Sequence, residues 1–140
     1  MSAVPAGFEP HFRKSPVTAP WEPLYSRRNE RSIDIGLTIG ASHCNSRGFV
    51  HGGVIAALAD NAMGLSWHQA RAAGNAAQLP SGAVTVSLSI DFIASGQSGQ
   101  WLQIAPRVLR ESGMTGFVDA LVTADDRLIA RASAVFRALT

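Results

Sequence analysis

From Gly53 to Ala73 the chain carries an apolar run with helical periodicity, and one acid, Asp60, stands inside it. The run is opened by the glycine pair Gly52-Gly53 and closed by Gly74-Asn75, a combination that stops helices. At roughly 1.5 Å per residue such a helix is close to 30 Å long, so the rest of a small domain must be built around it. Residues set out at 100° steps fall on two faces. Val54, Ile55, Leu58, Ala62 and Leu65 form a core stripe, and Ala56, Asp60, Met63, Gly64 and Trp67 gather opposite. A carboxylate in an apolar helix is costly unless it is solvated, paired or used. Its neighbours one turn away, Ala56 and Gly64, are small and leave free volume beside it.

The remaining periodicity is two, not 3.6. Ile33, Ile35, Leu37, Ile39 and Ala41 alternate with Asp34, Gly36, Thr38, Gly40 and Ser42, the signature of a half-buried strand. The pattern returns after a loop from Asn75 to Ser81. Val84, Val86, Leu88, Ile90 and Phe92 are expected to face inward, with Thr85, Ser87, Ser89 and Asp91 opposite. Further strands are expected over Gln100–Arg110, Thr115–Thr123 and Leu128–Ala138, with Pro106 marking a bulge or an edge. Strand, long helix and four consecutive antiparallel strands make an α+β chain, with the sheet curled around the helix. Residues 1–30, with four prolines in the first twenty, read as a tail or arm laid over a single domain spanning 31–140. Trp21 to Arg28 is expected to form one or two helical turns starting near Pro23.

Composition narrows the function classes. The net charge is +2 and the basic residues are scattered, which argues against nucleic acid as a partner. No apolar stretch approaches the roughly 18 residues of a membrane span, and the start has no secretory apolar core. A lone cysteine, Cys44, rules out an internal disulfide and suits a reducing cytoplasm. The expectation is a soluble cytoplasmic protein.

Nine of the ten acids have an ordinary place at a turn, in the N-terminal segment or on a strand face expected to be solvated, as for Asp34, Asp91 and Asp119. Asp60 alone sits in an apolar helix, either as a solvated or paired residue or as a working one. His51-Gly52-Gly53 has two readings: a glycine pair that permits a tight turn, or a helix N-terminus whose bare N–H groups polarise a carbonyl. No Gly-x-Ser-x-Gly or Gly-Lys-Ser/Thr accompanies it, which sets aside a lipase or a phosphate loop. Cys44, His43 and His51 lack the spacing of a zinc site, and nothing in their order demands a Cys-His nucleophile. No metal and no cofactor are expected.

Taken together, Asn45-x-x-Gly48-x-x-His51-Gly52-Gly53, then Asp60 nine residues after the histidine, then the strand Ala83-Val-Thr-Val-Ser-Leu-Ser-Ile-Asp-Phe-Ile-Ala, resemble the hotdog-fold acyl-CoA thioesterases of the phenylacetate-pathway (PaaI-like) type. The resemblance covers about residues 32–138. It implies a curled antiparallel sheet wrapped around one central helix, and a homo-oligomer, dimer or dimer of dimers, whose active site lies at the subunit interface. It further implies that Gly52 donates its N–H to the thioester carbonyl, that Asn45 orients the carbonyl or the water, and that His51 orders the loop. Asp60 then serves as general base or as nucleophile, and Thr85 stands near it. Gly53, Met63, Gly64 and Trp67 are candidates for substrate contact, although Met63, Gly64 and Trp67 could equally pack a subunit interface. Arg47, Arg110 and Arg131 are candidates for the coenzyme phosphates. The alternative is a non-catalytic acyl-CoA binder. A hotdog dehydratase would need a different loop and a helical Glu.

Overall fold

One 22-residue helix and seven antiparallel strands make up the regular structure of the computed structural model, which describes residues 3–74 and 82–139. The expected loop from Asn75 to Ser81 lies outside the described residues. In chain order the elements are β1 (Glu9–Pro10), β2 (Tyr25–Arg28), β3 (Ile33–Thr38), α1 (Gly52–Ala73), β4 (Ala83–Phe92), β5 (Trp101–Arg110), β6 (Thr115–Ala124) and β7 (Arg127–Ala138). Short 3₁₀ turns lie at Ala19–Trp21 and Ala41–His43. The strands form one sheet in the order β1-β2-β3-β5-β6-β7-β4, and α1 packs against β3, β4, β5, β6 and β7. This is the expected hotdog architecture, a helix held in a curled sheet.

The wrapping explains how much of the helix is hidden. Val54, Ile55, Leu58, Ala59, Ala62, Met63, Ser66, Trp67 and Ala70 are all buried, an arc of about 220° at 100° per residue. The core stripe is therefore wider than the sequence suggests. Met63 and Trp67, placed by periodicity on the face opposite the core, belong to the core itself, at 0% and 1% exposed. Leu65 is only half-buried, while Asp60, Ala56 and Gly64 stay on the partly open face. Ser66 fastens the helix to β3: its hydroxyl accepts from Ile33 N at 2.9 Å and donates to Ile33 O at 3.2 Å.

Three further expectations are corrected. Tyr25–Arg28 is a strand paired with Ile33–Gly36, not a helical turn. The extended Glu22 (φ −63°, ψ 147°) ahead of Pro23 would suit a helix start, but pairing of residues 25–28 with β3, a tertiary contact, decides their conformation instead. Second, β3 ends at Thr38 and is buried on both faces. Its second face lies under Trp101, whose ring would stand 2.2 Å from a Cβ on Gly36. Asp34 is accordingly not solvated; it is 4% exposed and paired with Arg27 at 2.7 Å. Third, the last four strands are not a simple meander. β5, β6 and β7 follow one another, but β4 pairs with β7 and lies at the sheet edge.

That edge matters for function. β4 is exposed along almost its whole length, including Val84, Val86, Leu88 and Phe92, all expected to face inward. A bulge between Thr85 and Ser87 shifts the parity, so Thr85 lies opposite the buried Phe136 on the helix side. The bulge removes Val84 and Val86 from that side; Leu88 and Phe92 face it, with the Phe92 ring beside Gly52 at the start of the helix.

Candidate active site

Two separate sets of groups stand out on the open side of the helix. The first is built on the middle of α1 and the start of β4. The parity change in β4 brings Thr85 over the helix, and its Oγ1 donates to Asp60 Oδ1 at 2.7 Å. Asp60 Oδ2 has no partner among the described residues. The carboxylate opens onto a cavity of about 290 Å³, also lined by Arg13, Asn61, Gly64, His68, Arg71 and Phe136. Trp67 borders this cavity from within the core, while Met63 does not line it. A half-buried carboxylate, one oxygen held and one free, can take a proton from water or attack a carbonyl carbon.

The second set lies at the helix start. His51 is the N-cap of α1, and its Nδ1 accepts from Gly53 N at 2.8 Å. Val54 N and Ile55 N donate to His51 O. Gly52 N–H is therefore the one first-turn donor left without a partner among the described residues, where the helix dipole adds positive potential. Gly53 N–H is spent on His51, so the two glycines have different parts. Asn45 Oδ1 accepts from Arg47 N at 2.9 Å and Phe49 N at 3.2 Å, closing the turn through Gly48. Its amide NH₂ is left to donate. Asn45, Arg47, Gly52 and Phe92 share a second cavity of about 370 Å³. Arg110 and Arg131 line neither cavity, and Arg131 is paired with Asp91 at 2.8 Å.

His11, Asn61 and Arg13 were invisible to sequence reasoning as neighbours of Asp60. His11 is 2% exposed and its Nε2 meets Asn61 Oδ1 at 3.0 Å, one residue from Asp60. The proline-rich composition of this segment gives no sign of that contact. Among the described residues no three His, Cys, Asp or Glu converge as a metal site, and no helix is long and apolar enough to cross a membrane.

A central helix wrapped by a curled antiparallel sheet is the hotdog frame. The chain belongs to the thioesterase superfamily, whose model matches residues 47–130, and thioester hydrolysis is the chemistry of that class. A Pseudomonas aeruginosa protein named "Putative esterase PA0474" is 35% identical over 97% of this chain and 98% of its own length. Among solved structures, smu.793 from Streptococcus mutans, bound to acetyl CoA, superposes with a TM-score of 0.72 at 26% identity, covering 84% of this chain and 90% of that one. The PaaI protein of the Escherichia coli phenylacetic acid degradation operon has the same fold, with a TM-score of 0.71 at 20% identity over 84% of this chain and 80% of its own.

Proposed function

We propose that the chain is an acyl-CoA thioesterase that hydrolyses an aryl- or short- to medium-chain acyl-CoA to the free acid and CoA. Its active site is completed by a second copy of the chain. One observation carries this reading: Asp60, with a free Oδ2, and Gly52, with a free N–H, lie eight residues apart on one rigid helix. That separation is about 12 Å at 1.5 Å per residue, too far for both to reach one carbonyl group. The second copy supplies the missing half. The exposed, apolar edge of β4 supports an edge-to-edge pairing of two sheets, since such an edge is otherwise a liability. The CoA thioester bound by the Streptococcus mutans relative supports the substrate class.

In this reading the thioester oxygen accepts from Gly52 N–H and the Asn45 amide of one chain. Asp60 of the other takes a proton from water while the water oxygen attacks the carbonyl carbon. The tetrahedral adduct then collapses, the C–S bond breaks with its electron pair on sulfur, and the thiolate takes the proton. Oxyanion donors are typically worth about 3–4 kcal/mol, and a general base about 10²–10⁴-fold. Asp60 could instead attack the carbon directly and pass through a mixed anhydride. Thr85 holds the carboxylate, and His51 fixes the loop that presents Gly52. The free thiol of Cys44 supports a cytoplasmic location. The test is a panel of aryl-, short- and medium-chain acyl-CoA thioesters with free-thiol detection. Turnover is expected; measurable binding without release of CoA would leave a non-catalytic binder.

A further inference from the structure

The Asp60 cavity has more positive charge than a pocket for a plain hydrocarbon chain requires. Two guanidinium groups, Arg13 and Arg71, line it against a single carboxylate, Asp60. Glu111, the acid whose backbone oxygen Arg71 holds, has its own carboxylate paired with Arg31 at 3.3 Å. Arg71 Nη1 donates to Glu111 O and Gly113 O, and its guanidinium lies 5.0 Å over the Trp67 ring, but its buried Nε has no partner among the described residues. Arg13 makes no ion pair among the described residues at all.

Arg13 is nevertheless held at this wall by its neighbours. His11 is bound to Asn61 through its ring and to Leu24 O through its N–H at 2.9 Å. Phe12 lies under Arg28, 3.9 Å from its guanidinium, and Lys14 pairs with Glu22 at 3.1 Å. Every residue around Arg13 is spent on holding the arm, and Arg13 faces the cavity uncommitted. Building on the thioesterase reading, we infer that the N-terminal arm is a specificity element. Arg13, which lines the same cavity as Arg71, reads a terminal anion on the acyl group, so the preferred substrates are acyl-CoAs ending in a carboxylate. Leu65 and Phe136, which line the same cavity, would flank the stem of the acyl chain.

The test compares glutaryl-CoA with pentanoyl-CoA, which differ in a terminal carboxylate against a methyl, on the wild-type protein and on Arg13→Ala and Arg13→Lys. A charge-assisted contact is worth about ten- to a hundredfold, so wild-type kcat/KM should favour glutaryl-CoA by at least about tenfold. That ratio should collapse in Arg13→Ala and persist in part in Arg13→Lys. Equal or better turnover of pentanoyl-CoA, or a ratio unmoved by Arg13→Ala, overturns the inference and leaves the thioesterase reading standing. If neither is cleaved while other thioesters of the panel are, the inference fails. If no thioester of the panel is cleaved, the thioesterase reading fails, and titration calorimetry with both thioesters and with CoA alone decides the inference. Tighter binding of glutaryl-CoA that is lost in Arg13→Ala supports it. Equal weakening of all three ligands, CoA included, makes Arg13 a contact for the coenzyme phosphates and overturns it.

Discussion

Asp60 divides its two oxygens between holding and working. Oδ1 is tied to Thr85 at 2.7 Å, and Oδ2 faces the cavity. Asp60→Asn keeps the shape but removes the base or nucleophile, and kcat should fall at least about 100-fold with the melting temperature little changed. Thr85→Ala removes only the orienting hydroxyl, and a loss of about tenfold in kcat is expected from a bond to a charged group; unchanged kcat would show that the hydroxyl has no part. Asp60 is legible in the sequence because a carboxylate breaks an otherwise apolar helical pattern. Thr85 came from family resemblance alone, since alternation along β4 assigns it to the face away from the helix. Only the bulge, which no periodicity reports, turns it inward.

At the scale of elements, the packing of α1 against the sheet is tight enough to count single methyl groups. A Cβ on Gly116 would stand 2.3 Å from the Trp67 ring, which is buried and stacked on Phe136. Gly116→Ala should therefore cost about 1–3 kcal/mol by overpacking, read from denaturant unfolding. Docking of the arm should be pH-sensitive. Burial of His11 holds its imidazole below the usual 6.5, reinforced by Lys14 and Arg13 and opposed by the Asn61 bond and Glu22. The unfolded chain takes up the proton near 6.5 while the folded chain resists, so stability falls as pH drops through and below that value. The melting temperature should decline from pH 7 to pH 5, and His11→Gln should lose that part of the slope. The same slope in the variant would exclude His11 as its source. Helix α1 was readable to within a residue, and β5 to β7 nearly so, because one period dominates each segment. β2 was misread, since four residues shortly after Pro23 carry no period and its pairing with β3 is a tertiary effect. The burial of Met63 and Trp67 follows from a sheet that wraps the helix, which an analysis of one helix face cannot register.

For the whole molecule, one chain is half an enzyme in this reading. The free N–H of Gly52 and the free oxygen of Asp60 sit at separate cavities, and the unpaired edge of β4 offers the surface by which two copies unite. The sequence suggested this sharing only through its family resemblance; the length of the helix and the free edge supply a physical reason for it. The most direct measurement is complementation. Gly52→Pro removes the donor at a position where helices accept proline, and Asp60→Asn removes the carboxylate. Each variant alone should be inactive towards the best acyl-CoA of the panel. Co-expressed, random pairing in a two-fold dimer gives half mixed dimers with one intact site of two, so about one quarter of wild-type activity per chain should return. Activity of the mixture no greater than that of the two inactive parents would contradict a site shared between subunits.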